Sequence, residues 1–150
     1  MHPHRIAAGG IILNNDAILL VRYGTAGGGS FLVGPGGALE TGENVVQAII
    51  RETLEETGVL VRPRRVLWIE DLECAHYKMS KVWMLCDPVG GSVTATEGAK
   101  LEGIREAGWF TRGQLEREIV YPPPILLHDW ETLRADHWET QCLPSRAADF

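Results

Sequence analysis

The chain has 150 residues, 45% of them apolar and 23% charged, with a formal net charge of −6. This length suits one domain with a full hydrophobic core, and no apolar run approaches the roughly 18 residues of a spanning helix. The acidic balance disfavours loose binding along a nucleic-acid backbone, and three scattered cysteines, Cys74, Cys86 and Cys142, suit neither a disulfide framework nor a zinc cluster.

Met1 to Arg5 lacks the pattern of a signal peptide, so a cytoplasmic location is expected. Ile6–Leu13 and Ala17–Tyr23 are apolar runs around Asn14-Asn15-Asp16 and read as a hairpin. Gly24–Ser30 is a glycine-rich loop, Phe31–Val33 a short strand, and Gly34-Pro35-Gly36-Gly37 a break. A helix is expected from about Asn44 to Thr57, stopped by Gly58. Further strands are expected over Arg65–Glu70, Lys81–Cys86, Ser92–Thr96 and Ala107–Phe110, with Cys86 a core thiol. Thr111 caps a short helix over Arg112–Glu118, the prolines 122–124 interrupt the chain, and Ile125–His137 forms a last helix. The tail from Leu143 is expected to fray. The whole is an α/β chain, a single domain over 1–150 with its core over about 6–137 and a short tail over 138–150.

The helix carries the chemistry. At 100° per residue Glu52, Glu55 and Glu56 share one side, while Val46, Ile49, Ile50 and the methyl of Thr53 form an adjacent apolar stripe. Ala48 falls among the carboxylates and leaves space there. Three crowded glutamates repel each other unless a cation lies between them, and oxygen-only ligation favours Mg²⁺, with Mn²⁺ as a substitute. A solvated acidic face is the alternative. Arg51 precedes Glu55 by one helical turn and can hold it by a charge-assisted bond. The glycines before the helix offer backbone amides to a phosphate.

With Gly37, Glu43, Arg51, Glu52, Glu55, Glu56 and Gly58 the segment resembles the box of the Nudix hydrolase family, Gly-x5-Glu-x7-Arg-Glu-U-x-Glu-Glu-x-Gly-U. All seven fixed positions match, and Val59 fills the last U; Thr53, standing at the first, is the departure. A chance match at a given start is on the order of 10⁻⁸. Phe31–Gly37 and Ala107-Gly108-Trp109-Phe110 also resemble family landmarks, so the likeness covers residues 6 to about 118.

The resemblance implies an α/β/α sandwich with a mixed sheet and Mg²⁺-dependent cleavage of a phosphoanhydride in a small nucleoside diphosphate derivative: a triphosphate, a nucleotide sugar or an ADP-ribose type. It implies metal binding by Glu52, Glu55, Glu56 and the Gly37 carbonyl, with Arg51 structural. A base is sought at Glu55 or Glu56, or among Glu97, Glu102 and Glu106, of which Glu106 is preferred because it abuts the strand of Trp109. Arg22, Gly36 and Gly37 are the candidate phosphate contacts; Trp109, Phe110, His76 and Tyr77 are assigned structural roles. Tyr121 and its prolines suit a pocket wall or an interface, which leaves a homodimer open. Neither a polynucleotide nor a membrane partner is expected. A non-catalytic nucleotide or metabolite sensor on the same scaffold is the alternative function.

Overall fold

The computed structural model describes residues 3–94 and 96–148. Strands β1 (His4–Asn14) and β2 (Ala17–Gly24) form the expected hairpin, with Asn15 in the left-handed region at φ 55°. The polar Asn side chain makes that conformation accessible. Strands β3 (Ser30–Val33) and β4 (Gly36–Ala38) follow, then helix α1 (Val45–Thr57). Asn44 caps α1 with its side chain on the Gln47 amide, and Gly58, at φ 78°, closes it by donating to the Leu54 carbonyl. That left-handed turn is the one glycine enters without a Cβ penalty.

Strands β5 (Val59–Glu73) and β6 (Lys78–Gly91) pair antiparallel and run much longer than the apolar patches that announce them. Their register slips beside Pro63, which has no amide to give to the ladder. Ser92–Thr94 is not strand; Ala95, also within the expected strand, lies outside the described residues. Instead Thr96 caps a short helix, α2 (Glu97–Leu101), before β7 (Ile104–Thr111). The helix expected over Arg112–Glu118 is a single tight 3₁₀ turn, Arg112–Leu115.

After β8 (Val120–Tyr121), the expected last helix divides into α3 (Pro124–Leu127) and α4 (Trp130–Arg134). Asp129 divides them, because its side chain accepts from the Glu131 amide and starts α4 afresh. As far as Ala148 the tail pairs into the sheet: β9 (Gln141–Cys142) and β10 (Arg146–Ala147) both lie parallel to β5.

The strands follow the order β10-β5-β6-β1-β2-β3-β8, with β4 beside β1, β7 beside β2 and β9 beside β5. Parallel pairs (β1 with β6, β3 with β8) occur among antiparallel ones, so the sheet is mixed. β1 is buried on both faces. Ile11 and Leu13 pack toward α3 and α4 with Leu67, Trp68, Ile125 and Leu133, whereas Ala8 and Ile12 pack beneath α1 with Ala48, Ile49 and Cys86. Period-two alternation thus supplies both layers of an α/β/α sandwich. Ile49, fully buried, contributes about 1.5–3 kcal/mol of this packing. Among the described residues no helix is long and apolar enough to cross a membrane.

Candidate active site

Helix α1 packs against β1, β4 and β5. The buried face holds Ala48, Ile49, Glu52, Thr53, Glu56 and Thr57. Val46 is 40% exposed and Ile50 only half-buried, so the apolar stripe lies further round than the helical wheel suggests. Ala48 belongs to the core rather than to the carboxylate group. The rotation turns Glu52 and Glu56 toward the sheet, leaving Glu55 more open to solvent. Gly37 passes so near Glu52 that a Cβ there would sit 2.6 Å from Oε1. The amide of Gly36 donates to Glu56 Oε2 at 2.9 Å.

Arg51 organises the acidic group. Its Nε and Nη2 donate to the two oxygens of Glu43 at 2.7 and 2.8 Å, while Nη1 reaches Glu52 at 2.8 Å and Glu55 at 3.2 Å. This is the planar fork of a guanidinium, which a lysine cannot reproduce. The Arg51 bonds, followed by the Glu40 contact, hold Glu43 down to about 2. Burial raises Glu52 above the usual carboxylate range against the pull of Arg51. Glu56 is pushed up to about 8, first by burial and then by the charge of Glu52, with the Gly36 amide opposing.

The connection after β6 is fastened to the end of α1. The Thr94 amide donates to the Thr57 carbonyl, and the Thr96 hydroxyl donates to the carbonyl of Glu55. This anchoring brings Glu102 beside the helix, where one carboxylate oxygen each from Glu52, Glu55 and Glu102 lie within 4.8 Å of one another. Oxygens so gathered, beside a glycine strand that leaves them room, fit a hard divalent cation. Glu106 is elsewhere engaged: facing Arg22 across β2 and β7, it accepts from that guanidinium at 2.7 Å. Arg22 is also bidentate to Glu118 at 3.0 Å and donates to Ser30, and these two carboxylates raise its pKa.

Gly36, Gly37 and Glu56 open onto a cavity of about 440 Å³. Glu70, Lys81, Trp83, Tyr121 and Arg146 also line it, as do Tyr23, Phe31 and Tyr77. The assigned structural role of Tyr77 therefore includes a cavity wall, while His76 is exposed. Phe110 is core and Trp109 packs against the layer beneath α1. Sequence reasoning passed over Glu70, Lys81 and Arg146. A signal existed for the first two: Trp68, Glu70 and Leu72 share one parity of β5, so the charge stands in an inward register, and Lys81 is its cross-strand partner.

A NUDIX domain model matches residues 3–130, and the chain belongs to that family. It is similar to the ADP-ribose pyrophosphatase of Methanocaldococcus jannaschii, 36% identical over 141 residues that cover 91% of this chain and 74% of that protein. It is 33% identical over 95 residues to mouse 8-oxo-dGDP phosphatase NUDT18, covering 63% of this chain and only 26% of the relative. Among solved structures, an ADP-ribose pyrophosphatase from Streptococcus suis superposes with a TM-score of 0.68 at 24% identity, over 92% of this chain and 98% of that one. A NUDIX hydrolase from Nitrosomonas europaea gives 0.69 at 26% identity, over 83% and 84%.

Proposed function

We propose that the protein is a pyrophosphohydrolase that cleaves a phosphoanhydride in a small nucleoside diphosphate linked to another group, with ADP-ribose-type compounds the first candidates. The observation that carries this reading is the acidic group of Glu52, Glu55 and Glu102 beside Glu56 and Gly37, which line a cavity large enough for a nucleoside. The similarity to the archaeal ADP-ribose pyrophosphatase supports the substrate class. The oxygen-only donor set favours Mg²⁺, or Mn²⁺, in the cytoplasm.

Glu52, Glu55 and Glu56, with the Gly37 carbonyl, would hold the cation. Bound there, it would supply Lewis acidity toward the diphosphate and a lowered pKa for the attacking water. The protein's own work is positioning. Arg51 fixes the Glu52 and Glu55 carboxylates, and the Gly36 amide orients Glu56. Proton uptake from the attacking water falls to Glu102, the one member of the gathered acidic group outside this ligand set, rather than to Glu106, which is held by Arg22. Arg22, tied to two carboxylates, contributes to the sheet frame around the glycine loop more than to phosphate binding.

The test is a hydrolysis screen of ADP-ribose, nucleotide sugars, nucleoside triphosphates and capped RNA, with products resolved by mass, in Mg²⁺ and in EDTA. Metal-dependent cleavage of a small diphosphate is expected. Tight binding without turnover would instead indicate a sensor, and preference for capped RNA at physiological salt would overturn the substrate class.

A further inference from the structure

The cavity lining includes an ion pair, a buried carboxylate with a half-buried guanidinium, that the proposed reaction does not use. Glu70 is 2% exposed, accepts from Trp83 Nε1 at 2.9 Å and stands 3.4 Å from Arg146 Nε. That Nε is buried without a hydrogen-bond partner among the described residues, so the pair is close but poorly aligned. Burying the Glu70 carboxylate costs more than a well-packed apolar residue would unless its partners are well placed. A carboxylate has about four lone-pair sites; Trp83 and Arg146 face two of them, and the group still lines the cavity.

The surroundings suit a planar ring. Tyr23 and Phe31 stack at 5.6 Å, Tyr121 meets Phe31 edge-on at 5.6 Å, and the Arg146 guanidinium covers the Tyr121 ring at 4.5 Å. Aromatic walls with a few polar groups converging at one end are the usual form of a site for a flat heteroaromatic ligand. Arg146 lies on β10, beyond the 3–130 span that the family model matches, so part of the cavity lining comes from a segment outside the matched domain.

We propose that Glu70 and Arg146 form the specificity pair for the nucleobase: Glu70 accepts from an N–H donor on the base edge, and Arg146 donates to the neighbouring acceptor. The assignment rests on the phosphoanhydride reading above for why a nucleotide enters the cavity. A base without an N–H donor leaves the buried Glu70 carboxylate without its partner, and such a mismatch in a site built for hydrogen bonding is strongly rejected.

Calorimetric titration of the full chain in EDTA tests this with AMP, GMP and the monophosphate of unsubstituted purine riboside. AMP or GMP is expected to bind at least tenfold more tightly than the purine compound. Glu70→Gln should shrink that ratio below threefold, and Arg146→Met, which keeps the apolar stem, should weaken the preferred nucleotide about tenfold. Equal or undetectable binding of all three, or an unchanged ratio in folded Glu70→Gln together with unchanged affinity in Arg146→Met, overturns the proposal. If Glu70→Gln does not fold, the Arg146→Met affinity decides. Turnover in the hydrolysis screen without this base selectivity removes the pair and leaves the reaction standing; selectivity without turnover does the reverse.

Discussion

Glu56 makes the metal-free protein sensitive to pH in a direction opposite to that of an ordinary salt-bridged carboxylate. Its pKa in the fold is about 8 against an ordinary 4.5, with burial as the first cause and the Glu52 charge as the second. The folded state therefore holds the proton more tightly than the unfolded chain. The stability this proton confers is complete below the unfolded value, and it is lost as pH rises from about 4.5 through about 8. One extra proton held by the folded state costs about 1.36 kcal/mol for each pH unit climbed, so the loss between pH 5 and pH 8 is on the order of 3 kcal/mol. For a domain of this size that corresponds to roughly 6–12 °C in Tm. Glu56→Gln removes the ionisation while its amide oxygen can still accept from the Gly36 amide. Thermal melts in EDTA from pH 5 to 8 should show a falling Tm for the wild type and a much flatter profile for Glu56→Gln, with the variant more stable at pH 8. Mg²⁺ added at pH 8 should recover much of the wild-type loss, because binding to the folded state alone shifts the equilibrium. A pH profile in Glu56→Gln as steep as that of the wild type would refute the argument.

Other expectations follow from the same geometry. Arg51→Met leaves Glu43, Glu52 and Glu55 without their shared cation and should cost about 2–4 kcal/mol by denaturant melts, while Arg51→Lys should recover only part of this. Glu102→Gln should lower kcat by about 10²–10⁴, the range of a lost general base, whereas Glu106→Gln should lower it less than about tenfold; the opposite ranking would restore Glu106 as the base. Gly37→Ala would place a methyl 2.6 Å from Glu52 Oε1, so weaker Mg²⁺ stabilisation with retained circular dichroism is expected, and an unchanged Mg²⁺ titration would count against the site.

The carboxylate helix was legible in the sequence because its determinants are local. Glu52, Glu55 and Glu56 share a side through spacing alone, Asn44 and Gly58 cap the ends through their own chemistry, and Arg51 is within one turn of Glu55. The hairpin and the position of Cys86 in the core were legible for similar reasons. What the helical wheel could not decide was which neighbouring stripe faces the sheet. Packing against β1 buries Ala48 and leaves Val46 exposed, a choice made by the partner surface and not by the helix. Nor could it choose among Glu97, Glu102 and Glu106, since the position of Glu102 depends on Thr94 and Thr96 bonding to the far end of α1. Glu70 and Arg146 meet only because β10 returns to pair with β5. Such long-range pairing leaves no local period to read, so the Glu70–Arg146 part of the cavity lining was decided by the tertiary structure, while the acidic helix beside it was already written in the chain.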